Sequence, residues 1–210
     1  MERLRASLRA SLRAAAGAVR RVARYLAGLE WTERRQHVCL FCNPANFRKI
    51  AHQDEHTIAF ENARLGGKLH WLLIPRIHIR DVEALTGEHV RLRKDPFLFR
   101  VRAGLPNGDL VERLHHVKRK LLDEHCPGIS PSSVHSGYHR GRRLMVGSIF
   151  WPDIVSVHHL HLHVIVEPRP VLRIFKYPLW LPLMWKSDEA VLREVRRKEE
   201  MESIELRKKR

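Results

Sequence analysis

The chain has 210 residues, 39 Lys plus Arg against 23 Asp plus Glu, and a formal net charge of +16. That length suits one domain of about 100–150 residues with extensions. Three cysteines (Cys39, Cys42, Cys126) without a secretory signal argue against a disulfide scaffold and for a reducing, intracellular compartment, and no apolar run reaches the roughly 18 residues that span a bilayer. The excess charge is uneven: residues 1–36 hold nine Arg and three Glu, residues 186–210 nine basic and seven acidic side chains, and the middle keeps the remaining +8. A basic middle favours anionic ligands such as nucleotides, with weak affinity for nucleic acid or an anionic membrane; ordinary solvated charge explains it equally well.

Residues 1–30 read as one amphipathic helix, with Leu4, Leu8, Leu12, Val19, Val22, Leu26 and Leu29 in a stripe and arginines opposite. The segment is rich in Arg, Ala and Ser, the composition of a mitochondrial transit peptide. An interfacial helix or a plain surface helix in a cytoplasmic or nuclear protein are the alternatives. The main domain begins near His37. Thr57 to Glu61 and Leu69 to Pro75 read as strands, the second preceded by the turn signal Gly66-Gly67. Asp81 to Leu85 reads as one helical turn. A helix from Asn107 to about Glu124 sets Leu110, Leu114, Val117 and Leu121 on one face and stops at Cys126-Pro127-Gly128. Ser133 to Tyr138 and Leu144 to Phe150 read as two further strands. Val171 to Trp185 is apolar but broken by Arg173, Lys176, Pro178 and Pro182; it reads as packed on the domain, with membrane-surface contact as the alternative. Ser187 caps a charged C-terminal helix. The expected divisions are 1–36, 37–168 and 169–210.

The chemistry concentrates in His159-Leu160-His161-Leu162-His163, which runs into Val164-Ile165-Val166. The alternation has the period of a strand, so the three imidazoles share one face while Leu160, Leu162 and Val164 face a core. Neighbouring imidazoles are anchored about 6–7 Å apart. A neutral imidazole is a competent nucleophile near pH 7 and can attack a nucleotide α-phosphorus, giving a nucleotidyl-histidine that water then releases. Flanking imidazoles can hydrogen-bond the non-bridging oxygens, and Ser156 stands close enough in sequence to contact the phosphate. A metal site is the competing reading, because His-x-His on a strand is common ligand geometry.

The stretch Ser156-Val157-His158-His159-Leu160-His161-Leu162-His163-Val164 resembles the signature of the histidine triad superfamily of nucleotide hydrolases and transferases. Cys39-Leu40-Phe41-Cys42 resembles that family's N-terminal Cys-x-Phe-Cys, Ile58-Ala59-Phe60-Glu61 its nucleoside-pocket strand, and His70-Trp71-Leu72-Leu73-Ile74-Pro75-Arg76-Ile77-His78-Ile79 a further characteristic stretch. The resemblance covers about residues 37–168. Its wording is most similar to the third branch of histidine triad nucleotide-binding proteins, as is the aromatic tail from Tyr177 to Trp185; aprataxin-related deadenylases are the next neighbours.

The resemblance implies an α+β fold: an antiparallel sheet of about five strands with one long helix, plus helical extensions at both ends. It implies an adenosine 5′-monophosphoramidase that releases AMP from purine nucleotide conjugates. His161 would be the nucleophile. His159 and His163 would orient it and bind phosphate, together with Ser156. Ile58 and Phe60 would flank the base, and His70 would be a further pocket histidine. The ribose-binding carboxylate of the family is Asn62 here, and the stretch between Tyr138 and Ser156 departs from the family pattern. No cofactor is required, but a structural zinc on Cys39, Cys42, His78 and His159 is implied by superfamily members such as galactose-1-phosphate uridylyltransferases. The alternatives are a deadenylase acting on nucleic acid, which would lack the expected C-terminal zinc finger, and a non-catalytic nucleotide-binding or scaffold protein. Members often form homodimers, so the resemblance also implies a homodimer.

Overall fold

A computed structural model of the chain describes residue 17 and residues 39–86, 107–141, 143–146, 149–151 and 157–208. Residue 17 apart, the helix expected over residues 1–30 lies outside these residues, as does Ser156. In chain order the elements are strands β1 (Ile50–Gln53), β2 (Thr57–Glu61) and β3 (Gly67–Pro75) and helices α1 (Val82–Thr86) and α2 (Asn107–His125). Strands β4 (Val134–His139), β5 (Arg143–Val146), β6 (Ile149–Trp151) and β7 (Leu162–Pro168) follow, then helix α3 (Pro170–Phe175), strand β8 (Trp185–Ser187) and helix α4 (Asp188–Lys208).

Six strands form one sheet in the order β1-β2-β3-β7-β4-β8, every neighbouring pair antiparallel. The register brings Phe60, Leu72, His163 and Gly137 side by side across four strands, and Ala59, Leu73 and Leu162 into the next row. Successive side chains point to opposite faces, so these two rows divide the sheet into two surfaces. The Ala59 row faces α2: Leu73, Leu162, Val164 and Val166 pack against Leu110, Leu114, Val117 and Leu121 in one core. Each leucine fully buried there contributes about 1.5–3 kcal/mol. The Phe60 row faces away from α2 and carries the polar side chains considered below.

The segment after residue 168 is built into this body. It supplies β8 to the sheet, and α4 adds Val191 and Val195 to the core beneath α2. The Ser187 hydroxyl caps α4 by accepting from the Ala190 N–H at 3.3 Å. Asp188, fully buried, pairs with the Lys118 ammonium of α2 and accepts from the Ser136 hydroxyl of β4 at 2.9 Å, tying two helices to the sheet. Asp81 caps α1 through the N–H groups of Glu83 (2.9 Å) and Ala84 (3.3 Å). Arg140 grips buried Glu83 with two guanidinium bonds of 2.5 and 2.9 Å, fixing α1 to the end of β4.

Four sequence expectations change. The strand of the histidines starts only at Leu162. Upstream, the His159 N–H turns back to the Val157 carbonyl (2.8 Å) and the Leu160 N–H bonds the Ile79 carbonyl (2.6 Å), so a loop and not a neighbouring strand holds the first two rings. Leu144 to Phe150 is not one strand: Arg143↔Trp151 and Leu144↔Phe150 pair across a separate two-stranded hairpin, with Gly147-Ser148 between the arms in sequence. The main sheet has six strands in place of about five, because the short strands β1 and β8 close its two edges. Strand β3 also begins two residues early, at Gly67, where glycine is required. An added Cβ would stand 2.3 Å from the Val166 carbonyl oxygen of β7.

Candidate functional site

The face away from α2 gathers His70, His135, His139, His161 and His163, all buried. Hydrogen-bond partners assign the ring protons. The His161 Nδ1 lies 2.6 Å from its own loop's His159 carbonyl oxygen. A carbonyl only accepts, so Nδ1 carries the proton and Nε2 keeps the lone pair. The Gly66 N–H donates to His70 Nδ1 at 3.0 Å, which leaves the His70 proton on Nε2. That Nε2–H donates to His163 Nδ1 at 2.9 Å. The His163 proton therefore sits on Nε2, a buried donor with no hydrogen-bond partner among the described residues. The His161 and His163 ring centroids are 4.8 Å apart. A lone pair and an unspent donor thus stand side by side, the combination that attack on a phosphate and binding of its oxygens requires.

Burial dominates the electrostatics. It lowers the pKa of His161, and it holds His163 and His139 well below the usual imidazole range; the neighbouring His161 adds to both of these shifts. Burial, then the Lys176 ammonium, hold His70 down to about 3. The rings are therefore neutral near pH 7, as a nucleophilic imidazole must be. Lys176 carries positive charge to this group. Its ammonium lies 5.3 Å from the centroid of the Tyr177 ring, which packs 5.4 Å from the His163 ring.

Next to His161 lies an apolar wall. Ile58, Phe60, Leu72 and Ile74 form a buried cluster closed by Phe41 and Phe47. Phe47 stacks on Phe60 at 4.5 Å between centroids, and Phe41 stands edge-on to Phe60 (5.4 Å) and to His161 (5.5 Å). Such a wall suits the flat face of a base. Asn62 is committed to the loop: its amide nitrogen is 3.3 Å from both ring nitrogens of His70, and its oxygen accepts from the Arg64 N–H at 3.1 Å.

The structure separates His159 from the other two triad rings. Its Nε2–H donates to the Pro75 carbonyl at 2.9 Å, and its Nδ1 lone pair faces Cys39 Sγ (3.4 Å) and Cys42 Sγ (3.6 Å). His78 Nδ1 is 3.3 Å from Cys42 Sγ. The four donor atoms of Cys39, Cys42, His78 and His159 all lie within 4.8 Å of one another. Zinc–sulfur and zinc–nitrogen bonds of about 2.3 and 2.0–2.1 Å put tetrahedral ligands roughly 3.5 Å apart, so this donor set fits a zinc ion. The Pro75 carbonyl is the outer partner that fixes a ligating ring. Burial, then Cys39, push the Cys42 thiol up to about 12.

Of the residues singled out in the sequence, His161, His163, His70, Ile58 and Phe60 come together on this face, and His159 joins the cysteine group. Unforeseen are His139, Lys176 and Phe47. His139 packs 5.0 Å from both the His163 and Trp185 rings. The alternation His135-Ser136-Gly137-Tyr138-His139 on β4 was the signal that could have shown it, since it sets His135 and His139 on the face of His163. Phe47 and Lys176 lie in loops, where no periodicity marks them.

No family model matches the chain. It is 29% identical over 154 residues to the bifunctional adenosine 5′-phosphosulfate phosphorylase/adenylylsulfatase HINT4 of Arabidopsis thaliana, across 71% of this chain and 79% of that protein. It is 23% identical over 131 residues to the adenosine 5′-monophosphoramidase HINT3 of Xenopus tropicalis, across 60% of this chain and 66% of that one. It is 25% identical over 128 residues to aprataxin of Gallus gallus, across 60% of this chain and 30% of aprataxin.

Proposed function

We propose that this chain, which belongs to the histidine triad superfamily, is a nucleotide hydrolase that cleaves the P–N bond of adenosine 5′-phosphoramidates and releases AMP. The observation that carries this reading is the 2.6 Å bond from His161 Nδ1–H to the His159 carbonyl, which aims the Nε2 lone pair away from its own backbone and beside the free His163 Nε2–H. His161 Nε2 attacks the α-phosphorus, a P–N bond to the histidine forms, and the bond to the leaving amine breaks. His163 donates to a non-bridging oxygen as charge gathers there. Water then attacks the phosphorus and frees His161. Over the cycle one water supplies the hydroxyl on AMP and the proton on the amine. The Phe41–Phe47–Phe60 wall would hold the base, and Ser156 would contact the phosphate.

An anionic leaving group is the second reading, favoured by Lys176 beside the histidines. It is the arrangement an adenylyl sulfate or an adenylated nucleic-acid end would need, and the likeness to HINT4 and aprataxin supports it. Adenosine 5′-phosphoramidate, adenosine 5′-phosphosulfate and 5′-adenylated DNA offered separately to the full chain distinguish the readings. AMP release fastest from the phosphoramidate is expected. Preference for either of the other two transfers the assignment, and nucleotide binding without turnover on all three leaves a binding protein.

Cys39, Cys42, His78 and His159 would hold a zinc ion in a closed four-ligand site, where it supplies structural cross-linking of the loop before β1 to the histidine loop and no reaction step. Metal analysis of the purified protein should find about one zinc per chain, lost in Cys42→Ser. Metal-free protein that takes up no added zinc would remove the site.

A further inference from the structure

We infer that residues 170–183 form a docking surface for an anionic membrane. The observation is a cluster of exposed apolar side chains backed by a folded frame. In α3, Val171, Ile174 and Phe175 stand at i, i+3 and i+4 and share the outward face, with exposures of 66%, 48% and 71%. Leu172 points the other way, into Ile165, Tyr177 and Trp185. After the helix a turn closes through the Leu181 N–H and the Pro178 carbonyl (3.2 Å) and presents Leu179 and Trp180, 49% and 67% exposed. The Trp180 Nε1–H donates to the Ile174 carbonyl at 3.0 Å, which holds the indole at the helix. Leu183 is exposed as well. Six of the thirteen large apolar side chains exposed among the described residues thus fall in this one short stretch. Scattered apolar residues need no explanation; a contiguous group holding Phe and Trp marks an interaction surface.

Charge selects the occupant. No acidic residue lies between Glu167 and Asp188, while Arg169 and Arg173 are exposed at the rim and Lys176 is half-buried behind it. Residues 1–36 of this chain, with nine Arg and three Glu, carry the same sign and are a poor partner. A second copy would bring two such basic rims together. A leaflet of anionic lipid answers both features at once: acyl chains accept the apolar side chains, the indole sits at headgroup level, and the arginines meet the phosphates. The surface lies on the membrane and does not cross it, since no helix among the described residues is long and apolar enough to span. The amphipathic pattern of residues 1–30 would add a second attachment of the same sign, and stable peripheral binding commonly takes two.

The test is flotation of the full chain with phosphatidylcholine vesicles, with and without about one-third phosphatidylserine. Binding to the anionic vesicles is expected, weakened by salt and by Arg173→Glu. The double substitution Phe175→Ser and Trp180→Ser should lower it about tenfold or more. If that variant fails to fold, Trp180→Phe serves instead: it should lose much of the fluorescence quenching that brominated lipid produces in the parent chain. No flotation of the parent, equal flotation of the double variant, or a change in oligomeric state without a change in flotation would each overturn the proposal.

Discussion

Replacement of His161 by alanine is expected to lower AMP release by about 10⁴-fold or more while the protein stays folded. The size follows from what is removed. His161 is the ring whose proton is fixed on Nδ1 by a backbone acceptor, so deletion takes away the nucleophile itself and not a supporting contact. The covalent route then closes, and only water held near the phosphate by the His163 N–H remains. The structural cost is modest by comparison. Among the described residues His161 makes one hydrogen bond, worth about 1 kcal/mol net, and the His159 carbonyl it leaves can turn to solvent entering the gap. Rates should be read beside the intact mass of enzyme quenched during turnover: the parent chain carries a nucleotidyl adduct and the variant carries none. Undiminished turnover by His161→Ala would sink the assignment. Loss of turnover with an adduct still present would move the nucleophile to another ring.

His163→Gln is the informative contrast for the same site. The glutamine amide reaches the position of Nε2 and keeps a donor there, so a phosphate-binding role is partly kept, whereas a nucleophile would be lost completely.

The parts of this site differ in how visible they are along the chain. Leu110, Leu114, Val117 and Leu121 stand at helical spacing, and all four are buried under the sheet. Thr57–Glu61 is β-rich and ends where the strand ends. Cys39 and Cys42 meet His78 and His159 across 36 to 120 residues, a convergence suggested by resemblance and not by any local pattern. Periodicity overreached at the triad. Alternation from His159 to His163 has a strand's period, yet the Ile79 carbonyl and a tight turn at Val157 hold the first three residues outside the sheet. That turn is what separates His159 from His161 and His163 and points it at the thiols. Strand β8 was illegible for a different reason. Three residues, Trp185-Lys186-Ser187, give no period, and they pair only because β4 offers an open edge. Lys176 enters through the same tail, so the chemistry of the site depends on a segment whose pattern says only that it is apolar.

Acid should unfold this protein earlier than carboxylates alone would allow. His70 has its pKa held down to about 3, by burial first and then by Lys176, against about 6.5 in an unfolded chain. Below pH 6.5 the unfolded state therefore takes up a proton that the folded state refuses. A depressed folded pKa on a base means that stability is complete above the unfolded value and falls as the pH drops, until the folded ring itself protonates near 3. At pH 5 the loss from His70 alone is about 2 kcal/mol, at about 1.4 kcal/mol per pH unit. Burial shifts His163 and His139 in the same direction, and they add to that loss. Together the three form a sizeable share of the 5–15 kcal/mol that typically holds a domain. Asp188 works in another window. Burial alone would raise its pKa, but the Lys118 ammonium outweighs burial and holds the carboxyl below the usual range, so its contribution is kept until roughly pH 4 and is lost only beneath it. Urea unfolding at pH 8, 7, 6.5 and 5 separates the two, with a chelator present throughout so that metal release plays no part. The midpoint should be nearly constant from pH 8 to 7 and fall between 6.5 and 5, where carboxylates are still ionised. A flat profile to pH 5 would mean that the rings accept protons in the folded state, and the neutral His163 donor and its His70 partner would have to be reassigned.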